Sequence, residues 1–263
     1  MVVDFGRTLT ILPSRTRMIS NTDHTIRALS LWVGGSIDLL PPRQWCAVAR
    51  ALDIVGERWT LLLVRDLLIG PKRYKDILSG LPGIGTNLLA RRLRELEANG
   101  LIERSVLPAP ANATVYGLTE RGAALESVVS ALGQWGFDFL GKPRSTDAML
   151  AAPFFVSLHA SYAPTAMPAL KERYGFRVDD RVFEVDVADG RCAVREGGAS
   201  APDAMFTSDA ATLFALRRRE LTPKQAVASG KVKVAGDPKA LERFVGVFGW
   251  SKEQLARTTA RWR

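Results

Sequence analysis

Thr86-Asn-Leu-Leu-Ala-Arg-Arg-Leu-Arg-Glu-Leu-Glu-Ala-Asn-Gly-Leu-Ile-Glu-Arg-Ser-Val106 is the stretch on which the reading turns. Leu89, Leu93 and Leu96 recur at i, i+4 and i+7, the spacing of one buried helix face. Asn87, Arg91 and Arg94 recur at the same spacing on the opposite side, with Arg92 beside them. Asn99-Gly100 closes the helix, because the chain there can turn into the left-handed region. Ile102 to Val106 then reads as a strand. Thr114 to Leu118 answers it across the loop Leu-Pro-Ala-Pro-Ala-Asn-Ala.

Upstream, Ala47 to Val55 and the very apolar Trp59 to Leu68 read as two helices, the second stopped at Gly70-Pro71. Tyr74 to Leu78 is a short third, ended by Gly80-Leu-Pro-Gly83. Downstream, Thr119-Glu-Arg-Gly opens a last helix running to about Leu140. Three helices, a two-faced fourth and a two-stranded ribbon are the order of a winged helix-turn-helix. Lys72, Arg73, Lys75, Arg91, Arg92 and Arg94 face a single acid, Asp76, within this segment. Thr86 and Asn87 at the helix start would meet base edges or phosphates of double-stranded DNA, and the arginines would reach guanines or the backbone.

The chain has 263 residues, long enough for two domains. Its 47% apolar and 24% charged residues exclude global disorder and fibrous repeats. Cys46 and Cys192 are its two cysteines and His24 and His159 its two histidines, too few for a disulfide framework or a metal centre. No stretch suits a membrane-spanning helix. The net charge of +9 allows a nucleic-acid partner, but residues 44–141 carry 11 Lys/Arg against 10 Asp/Glu, so DNA binding must come from local clustering. Residues 1–43 lack a clean period, end in Pro41-Pro42-Arg43 and read as a poorly ordered extension. The uncharged run Ala28 to Ile37 faintly mimics a signal peptide, but its leader is too long and no Ala-x-Ala follows. The expected division is therefore an extension over 1–43, a first domain over 44–141, a second over 148–250 and a basic tail over 251–263.

Three quoted stretches carry a family resemblance: Cys46-Ala-Val-Ala-Arg-Ala-Leu-Asp-Ile-Val-Gly-Glu-Arg-Trp-Thr-Leu-Leu-Leu-Val-Arg-Asp-Leu-Leu68, Gly70-Pro-Lys-Arg-Tyr74 and Leu88 to Arg104. With Tyr116-Gly-Leu-Thr-Glu-Arg-Gly122 at the wing exit, residues 46–140 resemble the HxlR family of MarR-like bacterial transcriptional regulators. The resemblance implies a homodimer with the first and last helices of the domain in the interface. Gly85-Thr86 departs from the Ser-Pro often found there, which leaves the base specificity open. Cys46 falls where several family members carry a redox- or electrophile-sensing cysteine. It precedes a helix, with Arg43 and Arg50 nearby in sequence. The competing reading is a thiol packed under the dimer helix.

Beyond Gly141-Lys-Pro-Arg-Ser-Thr-Asp147 the texture changes. Met149 to Ala160 and Ala166 to Tyr174 read as helices. Val182 to Val187 alternates as a strand, Asp189-Gly190 signals a tight hairpin, and Cys192 to Arg195 pairs back. Further strands are expected at Ala204 to Thr207 and Val232 to Ala235, and helices at Asp209 to Leu216, Pro223 to Ser229 and after Asp237-Pro238. This is an α+β domain with a mainly antiparallel sheet. Phe183-Glu-Val-Asp-Val-Ala-Asp-Gly190, Pro202-Asp-Ala-Met-Phe-Thr207 and Leu221 to Pro238 resemble the sterol-carrier-protein lipid-binding fold. That resemblance implies an apolar cavity, with Phe183, Val185, Met205, Leu213, Phe214, Val227, Val232, Val234, Phe244 and Phe248 as candidate lining. The alternative is that these side chains simply fill a core. Arg217-Arg-Arg219 departs from the small or apolar residues common there and would make the cavity mouth more basic.

No paired carboxylates, nucleophile elbow or phosphate-cradling glycine loop suggests catalysis, and no cofactor is implied. The expectation is a cytoplasmic, dimeric, DNA-binding regulator, not an enzyme, modulated by an apolar small molecule in its second domain. The alternative is an apolar-ligand carrier whose winged-helix domain only dimerises it.

Overall fold

The structure is a computed structural model that describes residues 45–137, 139–141, 143–198 and 201–248. The expectations for residues 1–43 and for the tail 251–263 lie outside the described residues.

The first region is built from α1 (Ala47–Val55), α2 (Thr60–Leu67), α3 (Tyr74–Gly80) and α4 (Thr86–Ala98), then β1 (Ile102–Val106) and β2 (Thr114–Leu118). Leu63 and Leu67 of α2, Ile77 of α3 and the Leu89, Leu93 and Leu96 stripe of α4 form one core. The α4 helix ends where expected, with Gly100 at φ 67°. β1 and β2 pair antiparallel from Ile102↔Leu118 to Val106↔Thr114. Lys72 adds a third partner to this wing: its amide donates to the Tyr116 carbonyl at 2.9 Å, and the Tyr116 amide returns a bond at 2.8 Å.

The last helix of this region is not continuous. It divides into α5 (Glu120–Ala123) and α6 (Glu126–Phe137). Thr119 caps α5 by accepting the Gly122 amide at 3.1 Å. Gly122 lies so close to the Leu101 carbonyl that a Cβ there would stand 1.9 Å from its oxygen. That close approach folds the chain back onto the start of β1.

The second region contains α7 (Ala151–Ser161), β3 (Glu172–Val178), β4 (Arg181–Ala188), β5 (Arg191–Glu196), β6 (Ala204–Ser208), α8 (Ala210–Arg217), α9 (Pro223–Ala228), β7 (Lys233–Gly236) and α10 (Ala240–Val247). The sheet order is β5-β4-β3-β6-β7. All pairings are antiparallel except β3 with β6. The helix expected over Ala166–Tyr174 is absent, and Glu172–Val178 is instead the central strand. Tyr174, Phe176 and Val178 all fall on its buried face. Gly175 sits on the other face with the Met205 thioether against it, so a Cβ there would have to displace the methionine side chain.

Local chemistry explains the remaining elements. Asp189 and Gly190 have φ 52° and 73°, the two left-handed residues that a tight β4–β5 turn requires. Thr222 and Gln225 close a full capping box on α9, with Pro223 at its first position. Asp209 caps α8 through the Thr212 amide at 2.6 Å. The core of this region is aromatic. Phe155 stacks on Phe183 at 4.0 Å, Phe176 meets Phe206 at 4.9 Å and Phe244 at 4.8 Å, and Phe244 meets Phe248 at 4.7 Å. Each such pair contributes roughly 0.5–1.5 kcal/mol beyond its area burial.

The two cores meet. Ile69, from the turn after α2, is fully buried in the second core, and Leu68 and Val129 pack against it. Both regions thus share one compact unit that begins at Arg50.

Candidate functional site

The first turn of α4 is held by α3: the Tyr74 hydroxyl donates to the Thr86 carbonyl at 2.8 Å. Thr86, Asn87, Arg91 and Arg94 are all exposed on one side of α4. Arg91 is only loosely tethered, 3.9 Å from Glu95. Lys75 on α3 is exposed as well, and Arg73 stands half-buried at the N-cap of α3. These six residues form a polar and cationic surface at the positions expected to read DNA.

Two members of the expected set leave it. Arg92 is buried because residue 92 falls at i+3 from Leu89, inside the apolar stripe. Its guanidinium is neutralised by Glu57 and by Glu95, the latter at 2.5 Å. Lys72 is 4% exposed and ion-paired to Glu196. A buried, internally paired cation is not available to a phosphate.

Glu196, at the end of β5, joins the two regions. One carboxylate oxygen holds Lys72 and the other takes Arg181 at 2.5 Å. Its amide donates to the Ile69 carbonyl at 2.8 Å. Nearby, Asp66 is almost fully buried and paired with Arg65 at 2.7 Å. Burial raises the Asp66 carboxyl above its ordinary range, against the pull of Arg65, Lys72 and Arg181. A second seam joins α6 to α7 and α8. Glu126 pairs with His159, and Gln134 donates to the Ala160 carbonyl at 3.0 Å. The Arg217 guanidinium lies 5.3 Å over the Phe137 ring. Sequence reasoning missed Glu196, Arg181 and Glu126, since their partners lie far away in the chain.

Helix α6 buries none of its described side chains. Val128, Leu132, Trp135, Phe139 and Leu140 are exposed, and so are Leu52, Val48 and Trp45 at the other end of the region. Cys46 is exposed, while Cys192 is half-buried and its thiol is pushed up to about 12 by burial, with Glu126 and Asp186 adding to the shift.

Most of the candidate cavity residues pack together in the core, but Met205 does not: its thioether lies against Gly175 on the sheet face opposite Tyr174, Phe176 and Val178. Phe183, Val185, Leu213, Phe244 and Phe248 are fully buried in the aromatic core, and Met205 and Phe214 are half-buried. Val227 corrects the expectation outright, since it is 40% exposed. An open groove of about 460 Å³ is lined by Glu220, Leu221, Gln225, Ala228, Ser229 and Lys231, none of them among the expected lining. Among the described residues, no three His, Cys, Asp or Glu side chains come together to hold a metal ion, and no helix is long and apolar enough to cross a membrane.

Known proteins place these two regions in context. Residues 54–144 match the HxlR-like helix-turn-helix model, and residues 156–249 match the SCP-2 sterol transfer family. The HTH-type transcriptional regulator YodB of Bacillus subtilis (strain 168) is 42% identical over 89 residues, which cover 34% of this chain and 80% of YodB. The HTH-type transcriptional regulator YvaP of the same strain is 34% identical over 91 residues, 35% of this chain and 84% of YvaP. The HTH-type transcriptional regulator Rv3095 of Mycobacterium tuberculosis (strain ATCC 25618 / H37Rv) is 39% identical over 98 residues, 37% of this chain and 61% of Rv3095.

Proposed function

The chain belongs to the HxlR-like helix-turn-helix family of transcriptional regulators, and from this we propose that it is a cytoplasmic homodimer that binds specific operators and is tuned by an apolar small molecule in its SCP-2 domain. The observation that carries the reading is the face of α4. Its leucines fill the core, which leaves Thr86, Asn87, Arg91 and Arg94 outward, with Arg91 only loosely paired to Glu95. The exposed apolar side chains on α1 and α6 are the natural dimer surface, and a two-fold dimer would present two α4 helices to half-sites about one helical turn apart. Sedimentation at micromolar concentration should give twice the mass of one chain.

The seams supply a route for regulation. A ligand can change DNA affinity only by binding the competent and incompetent states differently. Because Glu196 grips the turn before α3 and the α7–α8 pair grips α6, a shift in the second region must disturb either the helix-turn-helix or the dimer helix.

The test is operator binding on the DNA upstream of the chain's own gene. Asn87→Ala and Arg91→Ala should each cost about 1–3 kcal/mol on the specific site. Wild-type affinity in both variants would overturn the assignment of α4. The carrier reading is favoured by the loss of Lys72 and Arg92 from the cationic set. It predicts no site-specific complex at all, only binding of the apolar ligand.

A further inference from the structure

Helix α4 is the element that must be placed most closely, because Thr86 and Asn87 lie in its first turn. A displacement of about half an ångström is enough to spoil a contact of this kind. Three other helices of this chain begin on a side chain that accepts a first-turn amide: Thr119 for α5, Asp209 for α8 and Thr222 for α9. Helix α4 begins on Gly85, which has no side chain to do so. Ile84 and Leu89 hold its start by burial, and burial is non-directional. The directional contact comes from α3. Among the described residues, the Tyr74 hydroxyl makes the one side-chain hydrogen bond from α3 to α4, donating to the Thr86 carbonyl at 2.8 Å. A carbonyl has two lone pairs, so this bond need not displace a helical one. The Tyr74 ring is half-buried against the core of the first region, which steadies the hydroxyl.

Tyr74 also stands two residues from a contact that joins the regions. Lys72 is buried, with its ammonium on the Glu196 carboxylate and its amide and carbonyl on Tyr116 of β2. Arg73 is the N-cap of α3 and Tyr74 its first residue. A contiguous path therefore runs from β5 through Glu196, Lys72 and Tyr74 to the first turn of α4. We propose that Tyr74 is a positioning residue for DNA reading: its hydroxyl sets the pose of Thr86 and Asn87 against the bases, and it passes on to them any movement that Glu196 imposes on Lys72. Contiguity alone is not coupling, which must be measured between the two ends. This rests on the reading of α4 as the DNA-reading helix, and it names the residue that governs the placement of that helix.

The experiment measures the affinity of the full chain for the DNA upstream of its own gene and for a scrambled duplex of equal length, from about 50 to 200 mM salt. Tyr74→Phe keeps the ring and should lower the ratio of operator to scrambled affinity about tenfold, the worth of one good base contact. Scrambled affinity and its slope with salt should stay as in wild type, and the urea midpoint should move little. A tyrosine that merely bound a phosphate would lower both affinities together and reduce the slope by about one. Glu196→Gln loosens the hold on Lys72 and should weaken operator binding about threefold, with no further effect once Tyr74→Phe is present, the non-additivity of linked residues. An unchanged ratio in Tyr74→Phe, or a parallel loss on both duplexes, would overturn the positioning role. A Glu196→Gln effect of equal size in both backgrounds, or none in either, removes the link to the second region. Amide exchange at Leu89, whose proton is held by the Gly85 carbonyl at 2.9 Å, should quicken in Tyr74→Phe with no DNA present. Unchanged exchange sinks the hold on α4 whatever the DNA result. Wild type that fails to separate the two duplexes while Leu89 exchange does quicken overturns the DNA-reading assignment of α4 and not the hold of Tyr74 upon it.

Discussion

A carboxylate shut away from water must keep its charge by means of its neighbours or give it up. Asp66 is in that position, with Arg65 beside it and the Gly80 backbone leaving just enough room for its oxygen. Since burial raises its pKa in the fold, the folded chain keeps a proton that the unfolded chain has already lost once the pH exceeds 3.8. Stability contributed by this group is therefore present at low pH and falls as the pH rises through the window up to the raised value. Urea unfolding of wild type and Asp66→Asn across pH 3.5 to 7 should show wild type losing ground against the variant as pH rises. The cysteines differ for the same reason of access. Cys46 is exposed, whereas Cys192, at about 12, is almost wholly protonated at neutral pH. Iodoacetamide at pH 8 should label Cys46 at least about tenfold faster than Cys192, read by peptide mass, and Cys192 should speed up steadily with pH.

At the scale of elements, the break between α5 and α6 is set by one glycine. Gly122→Ala would drive a methyl into the Leu101 carbonyl, and since both sides of that contact are backbone, it should cost about 2–3 kcal/mol in chemical unfolding. Much of the fold was legible because its signals are local. The β1–β2 pairing, the Asp189-Gly190 turn and the Thr222 capping box each depend on residues a few positions apart. β3 was not legible. Met167, Leu170 and Tyr174 satisfy a helical spacing, while the strand that Tyr174 in fact belongs to is central and crowded on both faces, so its alternation is blurred by Gly175. The candidate site divides along the same line. Exposure of Asn87 and Arg91 follows from the leucine period on their own helix. The burial of Arg92 follows from the same leucine period, since it falls three residues after Leu89, but its pairing with Glu57 and that of Lys72 with Glu196 span 35 and 124 residues, and no local pattern announces them.

For the whole molecule, the grip of Glu196 on Lys72 is one of the contacts that join the two regions, beside the buried Ile69 and the Glu126–His159 pair. Glu196→Ala leaves Lys72 buried without a counter-charge, a loss of about 3 kcal/mol for a pair this removed from water. Glu196→Gln, which can still accept a hydrogen bond, should cost less. Amide exchange at Glu196, whose proton is held by the Ile69 carbonyl, should quicken in the alanine variant before global unfolding does. The same contact bears on how such a chain arises and persists. When two domains are first joined by gene fusion, nothing obliges their surfaces to fit. Once a lysine of the first region has been buried against a glutamate of the second, neither half can be exchanged for an unrelated one without stranding a charge. Lys72 and Glu196 should thus be inherited as a pair, both kept or both replaced, in descendants that retain the two halves, and position 72 should be freed from that constraint in any lineage that sheds the second.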